Sequence, residues 1–342
     1  MFKIGLDLGY GYVKGINEAG RRIVFPSLVS AAYDRPLSVL FGGQKENPIN
    51  NMHLVITNGD KEEYFIGELA RREGRNVSYA FDEDKINHPS TKALLAAASM
   101  LLFSEEDTPV HLVTGLPLEQ FVKQKTEFEN MLKNFKIIVS FKGDQKVKII
   151  KFTRVTIFPQ AAGAVYGAIL DDIQKYFIPG SYIGLIDIGF KTTDFITFIT
   201  EDKLVLREDL SGTINIGMAA INSAADKLFT QKTGSKLDIP ELMRLISAGK
   251  IFYKGRELDF SRELSAVKME IAQVIKDRIK VAWGSKIDFF NTVFLAGGGA
   301  KELQIGLSDT YEKTVLVKDP QFANARGFLK VAAIEEKKVA AS

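Results

Sequence analysis

Phe2-Lys3-Ile4-Gly5-Leu6-Asp7-Leu8-Gly9-Tyr10-Gly11-Tyr12-Val13-Lys14 is the stretch from which the rest of the chain can be read. An apolar run (Ile4, Leu6, Leu8) carries one carboxylate, Asp7, and ends in Gly9-Tyr10-Gly11. A β-like piece resumes at Tyr12-Val13, and Lys14 follows. This is the pattern of a hairpin whose tight turn exposes backbone N–H groups, with an acid before it and a cation after it. Backbone nests and a lysine suit phosphate oxygens, and the acid suits a hydrated divalent cation. Glycine-rich hairpins are also common as plain structural turns.

The pattern recurs. Tyr182-Ile-Gly-Leu-Ile-Asp-Ile-Gly-Phe-Lys-Thr-Thr-Asp-Phe-Ile196 again brings an apolar strand to Asp-x-Gly (Asp187, Gly189). It then passes a short polar turn (Lys191, Thr192, Thr193, Asp194) and re-enters an apolar strand, Phe195–Ile199. Asp187 follows Asp7 by 180 positions, about half of the 342 residues. Two similar units at half-chain spacing predict two related domains facing one another, with a nucleotide's phosphates and metal in the cleft between the turns. Gly297-Gly298-Gly299, after the apolar run Asn291–Ala296, is a third loop permitting close backbone approach. Better-known nucleotide motifs do not fit. There is no G-x-x-x-x-G-K-[ST] loop, and Lys14 stands where a Rossmann fingerprint requires glycine.

Composition sets the outer bounds. A chain of 342 residues exceeds what one core usually supports, so two domains are expected. Hydrophobic content of 46% and charged content of 25% are ordinary globular values. A net charge of +3, from 45 basic and 42 acidic residues, argues for no direct nucleic-acid surface. The absence of cysteine excludes disulfides and thiolate metal sites. The N-terminus starts directly in a strand without a leader pattern, and the longest apolar run, Ala93–Phe103, is too short for a bilayer. A soluble, cytoplasmic protein without membrane contact is expected.

Between the two hairpins, short β-like pieces (His53–Thr57, Glu63–Ile66) over residues 31–90 read as a small inserted subdomain. A buried helix (Thr91–Phe103), a buried strand (Val110–Leu116) and an amphipathic helix (Leu118–Lys133) follow. Strand-like runs at Phe135–Phe141, Val147–Phe152 and Thr153–Phe158 lead to Pro159 and a helix of small residues from Gln160. The second half has strands at Tyr182–Ile188, Phe195–Thr200 and Lys203–Leu210. Its helices are expected at Asn215–Lys232 and Ser261–Trp283, and the last helix at Phe322–Val339. Alternating strands and helices make this an α/β protein of layered sheets. His53, His88 and His111 lack metal-ligand spacing, and His111 reads as a satisfied core residue.

Taken together, Asp7-Leu-Gly, Pro159-Gln160-Ala-Ala-Gly, Asp187-Ile-Gly, Ala296-Gly-Gly-Gly and Asn324-Ala-Arg-Gly327 resemble the five nucleotide-site segments of the actin superfamily. Their order and spacing match over nearly the whole chain. Phe25-Pro-Ser27 and Pro320–Gly327 further resemble the ParM/StbA-type and archaeal actin-like proteins. The resemblance implies the actin-like ATPase fold, two ribonuclease H-like domains flanking a nucleotide cleft. The first domain would be residues 1–178, with the insertion at about 31–90 and the C-terminal helix 322–342 completing it. The second would be residues 179–321.

The same resemblance implies binding of ATP (or GTP) with Mg²⁺, hydrolysis, and polymerisation of the protein with itself into filaments, often for plasmid segregation with a DNA-binding adaptor protein. Asp7 and Asp187 would hold Mg²⁺ through water. Lys14 and the amides of Gly9, Tyr10, Gly11 and Tyr12 would take phosphate oxygens. Gly189, Lys191, Thr192 and Thr193 would form the second turn, and Gly297, Gly298 and Gly299 would pack beside the nucleoside. Gln160 would orient the attacking water. The family often has paired glycines where this chain has Phe190-Lys191, so Lys191 either contacts phosphate or is solvated. The alternative within the superfamily is a small-molecule kinase, which needs a carboxylate base at the acceptor hydroxyl. The position at the start of the small-residue helix holds the neutral amide of Gln160 instead.

Overall fold

The first hairpin forms as read, and a sheet grows on both sides of it. The computed structural model describes residues 1–35, 47–58, 60–75, 77–79, 86, 88–103, 109–144, 146–308 and 313–341. Two compact units result: Met1–Gly167 with Asn324–Ser342, and Ala168–Ala323. The strands of the first unit are β1 (Phe2–Leu8), β2 (Tyr12–Asn17), β3 (Arg22–Pro26), β4 (Leu28–Ala31), β5 (Met52–Asn58) and β6 (Asp60–Ile66). They continue with β7 (Ser78–Tyr79), β8 (Val110–Leu116), β9 (Lys136–Phe141), β10 (Val147–Lys151) and β11 (Arg154–Pro159).

The main sheet runs β11-β8-β1-β2-β3, with β8 parallel to both β1 and β11 and the β1-β2-β3 meander antiparallel. Parallel strands covered on both faces need near-continuous apolar runs, and every residue of β8 is buried. One face packs the helix Pro89–Leu102 in a core with Leu6, Val13, Phe25 and Leu95. The other face receives the C-terminal helix, Ala323–Ala341, through Val113, Phe328, Val331 and Ala332.

Glycines set the distance of that helix. A Cβ on Gly5 would lie 2.1 Å from the Ala325 carbonyl oxygen, and one on Gly327 would lie 1.8 Å from that of Gly163. The Phe328 ring fills the slot left by Gly115 and Gly163, where a Cβ would meet it at 2.5 and 2.7 Å. Small side chains in the helix Ala162–Ile169 thus admit a second backbone, as their composition predicts.

The far end of the helix is fastened by polar groups. Arg154 Nη2 and Thr156 Oγ1 donate to Glu335 Oε2 at 2.9 and 2.8 Å. Because the Thr156 proton is used on Glu335, His111 Nε2, 3.0 Å away, must be the donor to Thr156 Oγ1. His111 is 1% exposed, and burial lowers its pKa below the ordinary histidine value. A lowered folded pKa means that the unfolded chain takes up a proton first as pH falls. Stability is therefore expected to be insensitive to this group above about pH 6.5 and to decline below it. A His111→Gln variant should show a flatter pH dependence of its melting temperature between pH 7 and 5.

A second sheet, β10-β9-β5-β6-β4-β7, completes the unit. Its strands come from residues 28–79 and 136–151, joined where β5 pairs with β9. The added layer is therefore not confined to the 31–90 stretch expected from sequence. Non-local pairing of this kind leaves no local signal.

The second unit repeats the plan with β12 (Tyr182–Ile188), β13 (Thr193–Thr200), β14 (Leu204–Leu206), β15 (Gly212–Ile214), β16 (Lys250–Tyr253), β17 (Arg256–Asp259), β18 (Phe290–Ala296) and β19 (Thr314–Leu316). The sheet order is β14-β13-β12-β18-β19, with β15 on β13 and β16-β17 forming a separate hairpin. The helices Met218–Thr233, Ile239–Ala248 and Ser261–Trp283 supply Ile221, Leu245, Ile275 and Trp283 to its core. Trp283 Nε1 donates to Thr197 Oγ1 at 3.1 Å and to the Leu210 carbonyl at 3.2 Å. The expected strand Lys203–Leu210 is shorter, because Glu208–Leu210 winds into a 3₁₀ turn with Arg207 clamped on Asp209. Among the described residues, no helix is long and apolar enough to cross a membrane.

Candidate functional site: two matching turns

Each unit carries one Asp-x-Gly turn, and the two are built alike. Asp7 is the next-to-last residue of β1, and Asp187 is the next-to-last of β12. Both side chains are buried, at 4% and 8% exposure. In each hairpin the glycine two residues later closes the turn on the carbonyl three residues on. Gly9 N–H donates to Tyr12 O at 3.2 Å, and Gly189 N–H donates to Thr192 O at 2.9 Å. A Cβ on either glycine would stand 2.9 Å from that carbonyl oxygen, so each turn requires glycine.

Two further carbonyls of each turn are tied as well. In the first, the Ser27 hydroxyl donates to Gly9 O at 2.6 Å and the Ser27 amide to Gly11 O at 2.9 Å. In the second, the first amides of the helix Met218–Thr233 do this: Met218 N–H to Gly189 O at 3.1 Å and Ala219 N–H to Phe190 O at 2.8 Å. Three carbonyl oxygens per turn are thus satisfied by protein donors. With the negative ends of the peptide dipoles bound, what the turn has left to offer a ligand favours anions. Ser27 was legible only as part of Phe25-Pro-Ser27; its fastening role appears with the fold.

Lys14 is the cross-strand partner of Asp7, and its Nζ lies 3.0 Å from Asp7 Oδ2. The ammonium also sits beneath the turn, 3.2 Å from where a Gly9 Cβ would be. Gln160 Nε2 donates to the other oxygen, Asp7 Oδ1, at 3.1 Å. Asp7, Lys14 and Gln160 therefore form one cluster. Burial raises the Tyr12 phenol above its usual value, and Tyr10 reaches sideways, accepting from Gln120 Nε2 at 3.2 Å.

Gln160 is held by its neighbours. Its own N–H donates to Leu116 O at 2.8 Å, and Ala161 adopts φ 63°, a left-handed geometry. That geometry costs a non-glycine residue about 1–2 kcal/mol. The side-chain oxygen of Asn324, itself 8% exposed, accepts from Ala161 N–H at 3.0 Å and stabilises the turn. The Asn-Ala-Arg-Gly segment thus has two local duties: Asn324 steadies the Gln160 turn, and Gly327 lets the helix approach.

In the second unit the position matching Lys14 is Asp194, cross-strand from Asp187 and held by the hydroxyl of Thr213 at 2.5 Å. Thr193 is fully buried with its hydroxyl donating to Ile216 O at 2.8 Å, so it serves the turn's framework. Lys191 is exposed and Thr192 half-buried at the tip. Gly297, at φ 90°, crosses directly over Asp187: a Cβ there would lie 2.3 Å from Asp187 Oδ1. Gly299 packs on Ile188 and Met218, whereas nothing lies within 4 Å of a Cβ on Gly298.

These donors suit Mg²⁺, which keeps several waters and takes one or two carboxylates plus phosphate oxygens. Among the described residues, no group of three or more His, Asp or Glu side chains stands together as a fully protein-ligated site would need. Asp7 and Asp187 are each single carboxylates beside an anion-favouring turn. The residues fit a hydrated cation carried with a phosphorylated ligand.

Comparison with known proteins bears on the family and the fold. Residues 5–163 match the family model for the N-terminal domain of actin-like proteins, and residues 185–309 match that for the C-terminal part of the archaeal, MreB-like actin homologues. An archaeal actin homolog of Thermoplasma acidophilum is 26% identical over 338 residues, 96% of this chain and 98% of the relative. The ParM subunit of a 15-stranded filament from Clostridium botulinum is 38% identical, with TM-score 0.87 over 97% of this chain and 99% of that one. An archaeal actin homolog solved in complex with ADP shares the fold, with 23% identity and TM-score 0.81 over 98% of this chain and 100% of that one.

Proposed function

The chain belongs to the actin superfamily as a ParM-type actin-like protein, and from that premise we propose that it is an ATPase whose nucleotide-bound form assembles into filaments. The observation that carries this reading is the repeated turn. Each unit presents a buried aspartate followed by a glycine-closed loop whose carbonyls are tied to protein donors. The same turn chemistry in both units suits a nucleotide's phosphates and their metal. ATP or GTP with Mg²⁺ is the ligand class, and Mg²⁺ would supply charge neutralisation of the phosphate oxygens. Filament-driven segregation of plasmid DNA through an adaptor is the cellular role the family relationship favours.

The residues divide the work. Lys14, already beneath the first turn, supplies a cation to the phosphates. Asp7 and Asp187 would hold Mg²⁺ through water. Gln160 donates through Nε2 to Asp7, which leaves Oε1 to accept from the attacking water and aim it. Phosphoryl transfer has a loose transition state in most analyses, so positioning matters more than deprotonation. A neutral amide is sufficient for that task.

Gln160→Ala is expected to slow hydrolysis by about ten- to a thousandfold, roughly 1.4–4 kcal/mol of barrier. Nucleotide affinity should hardly move, and filaments should form and then persist. Phosphate release and a disassembly time course on one preparation check this. The reading as a whole is tested by light scattering and phosphate release with ATP, with ADP and without nucleotide. A protein that stays monomeric at high concentration with ATP and Mg²⁺ would refute the filament assignment.

A further inference from the structure

The helix Ser261–Trp283 carries a pattern that the core of the second unit does not explain. Its buried residues Leu264, Ala272, Ile275, Ile279 and Trp283 pack into that core. Beside them runs a strict seven-residue repeat: Glu263 with Val267, Glu270 with Val274, Asp277 with Val281. In each copy the valine stands four residues after the acid, so acids and valines form two adjacent rows. Residues seven apart drift around a straight helix by about 20° per repeat. The valine row follows that drift out of the unit: Val267 is half-buried, Val274 is 38% exposed and Val281 is 85% exposed. A row that leaves its own core yet keeps the seven-residue period has the form of a seam for a second helix, whose supercoil absorbs the drift. Ile271 and Arg278 stand at the intervening positions and complete the alternating spacing of four and three.

The acids decide what kind of helix fits. Glu263, Glu270 and Asp277 are all exposed. A helix neutralises its own charges from three or four residues away, and no lysine or arginine stands at those positions from Glu263 or Glu270. Among the described residues neither of the two forms an ion pair. Asp277 accepts from the neutral amide of Gln273 at 2.7 Å. On the other side of the seam the flanking positions are Lys268, Ile275 and Ala282. Lys268 is committed to Glu302 and the Ile246 carbonyl, and Ile275 is buried. An incoming helix therefore meets one charged row, and it is acidic. Laid antiparallel against a second copy of itself, this helix would set acid against acid. Laid parallel, it would need the Lys268 side, which the unit keeps for itself. The same row repels nucleic acid and anionic lipid.

We propose that the outward face of the helix Ser261–Trp283 docks a basic amphipathic helix of a partner protein, paired side by side along Val267–Val281. That seam is about 21 Å long, so the partner supplies about four turns. Its matching face carries aliphatic residues at alternating spacings of three and four, with lysine or arginine in the row that meets Glu263, Glu270 and Asp277. Arg278, the one charged residue within the seam, gives the pairing a preferred register at some cost in affinity. None of the turn residues lies on this helix, so the test needs no nucleotide.

The probe is a blocked, fluorescein-labelled peptide of three heptads, with leucine at both seam positions, lysine at both flanking positions and alanine or glutamine elsewhere. Like charges on both flanks keep it from pairing with itself. Anisotropy should show saturable binding that weakens as salt is raised. Helical circular dichroism of the mixture should exceed the sum of its parts, because so short a helix is marginal alone. Affinity should fall at least tenfold in the Val274→Ser/Val281→Ser variant, with the melting temperature nearly unchanged. In Glu263→Lys/Glu270→Lys/Asp277→Lys the preference should reverse, toward the same peptide with glutamate in place of lysine. No saturable binding of the lysine peptide overturns the proposal, as does binding that survives both serine substitutions or a charge preference that fails to reverse. Loss of ATP-dependent assembly in the serine variant overturns it in favour of a contact between copies of this chain.

Discussion

Asp7→Asn and Asp187→Asn are each expected to lower steady-state phosphate release at least about a thousandfold, some 4 kcal/mol of barrier, while the protein stays folded. Asparagine is the informative replacement. Asp7 is buried between Lys14 Nζ and Gln160 Nε2, and truncation to alanine would strand a half-buried ammonium beside an empty space. Breaking half of a buried pair destabilises by its own route. The amide keeps the shape and removes the charge that a hydrated cation needs, although its N–H₂ must then face one of the two donors, Lys14 Nζ or Gln160 Nε2. The two variants should differ in one respect. With Asp7 neutralised, Lys14 loses its ionic partner and becomes more available to phosphate, so metal-free nucleotide should bind more tightly to Asp7→Asn than to the parent. Asp187→Asn has no such lysine across the strand and should not show this gain. Fluorescent-nucleotide titrations in EDTA beside phosphate-release assays separate these outcomes. Near-normal turnover in a well-folded Asp187→Asn protein would remove the aspartate pair from the mechanism.

Gly327→Ala is expected to cost the first unit about 3 kcal/mol or more, at the upper end for overpacking. The added methyl would stand 1.8 Å from the Gly163 carbonyl oxygen, a backbone atom that no rotamer change can move aside. The helix would have to lift, and Phe328 would leave its slot between Gly115 and Gly163. For a unit of this size that corresponds to a drop of roughly 6–12 °C in melting temperature. A control at Gly20, where nothing lies within 4 Å but φ is 82°, isolates the smaller cost of backbone strain alone. A Gly327→Ala protein that melts with the parent would mean that the close approach is not maintained in solution.

Much of the site could be read from the chain because turns are written locally. An apolar strand ending in Asp-x-Gly fixes where a carboxylate stands and where a backbone must bend, and both copies did so. Lys14 is expected at the phosphates, and hairpin register places it directly across from Asp7. Counting outward from the Tyr10-Gly11 tip would have shown that. Gln160 is expected to orient the attacking water, and in the folded chain its amide nitrogen donates to Asp7. Such a contact joins residues 153 positions apart and has no local sign. The threonine pair shows the same limit. Thr192 and Thr193 are equivalent by composition, yet only β13 pairing decides that Thr193 faces inward to Ile216. The second sheet is only half legible for a related reason, since β5 meets β9 across three strands and the helices between them. The hairpin β16-β17 went unread, its Tyr253-Lys254-Gly255-Arg256 turn lying between two helices with little alternation to mark it.

The C-terminal helix has a consequence for how the molecule comes into being. The first unit is interrupted: its sheet is encoded before Gly167 and the helix that covers one face of it after Ala323, with the whole second unit between. On a ribosome, β1, β8 and β11 emerge early and wait. Val113 and the Gly115–Gly163 slot stay open to water until Phe328 arrives. The second unit has no such debt and can close on itself as soon as its own residues are out. Synthesis therefore tends to finish the inner unit first and leaves the outer one to a single late docking event. A nascent chain paused in the second unit would carry an uncovered apolar sheet face, the kind of surface that chaperones hold. The first unit is therefore completed only when the nineteen-residue helix Ala323–Ala341 has docked.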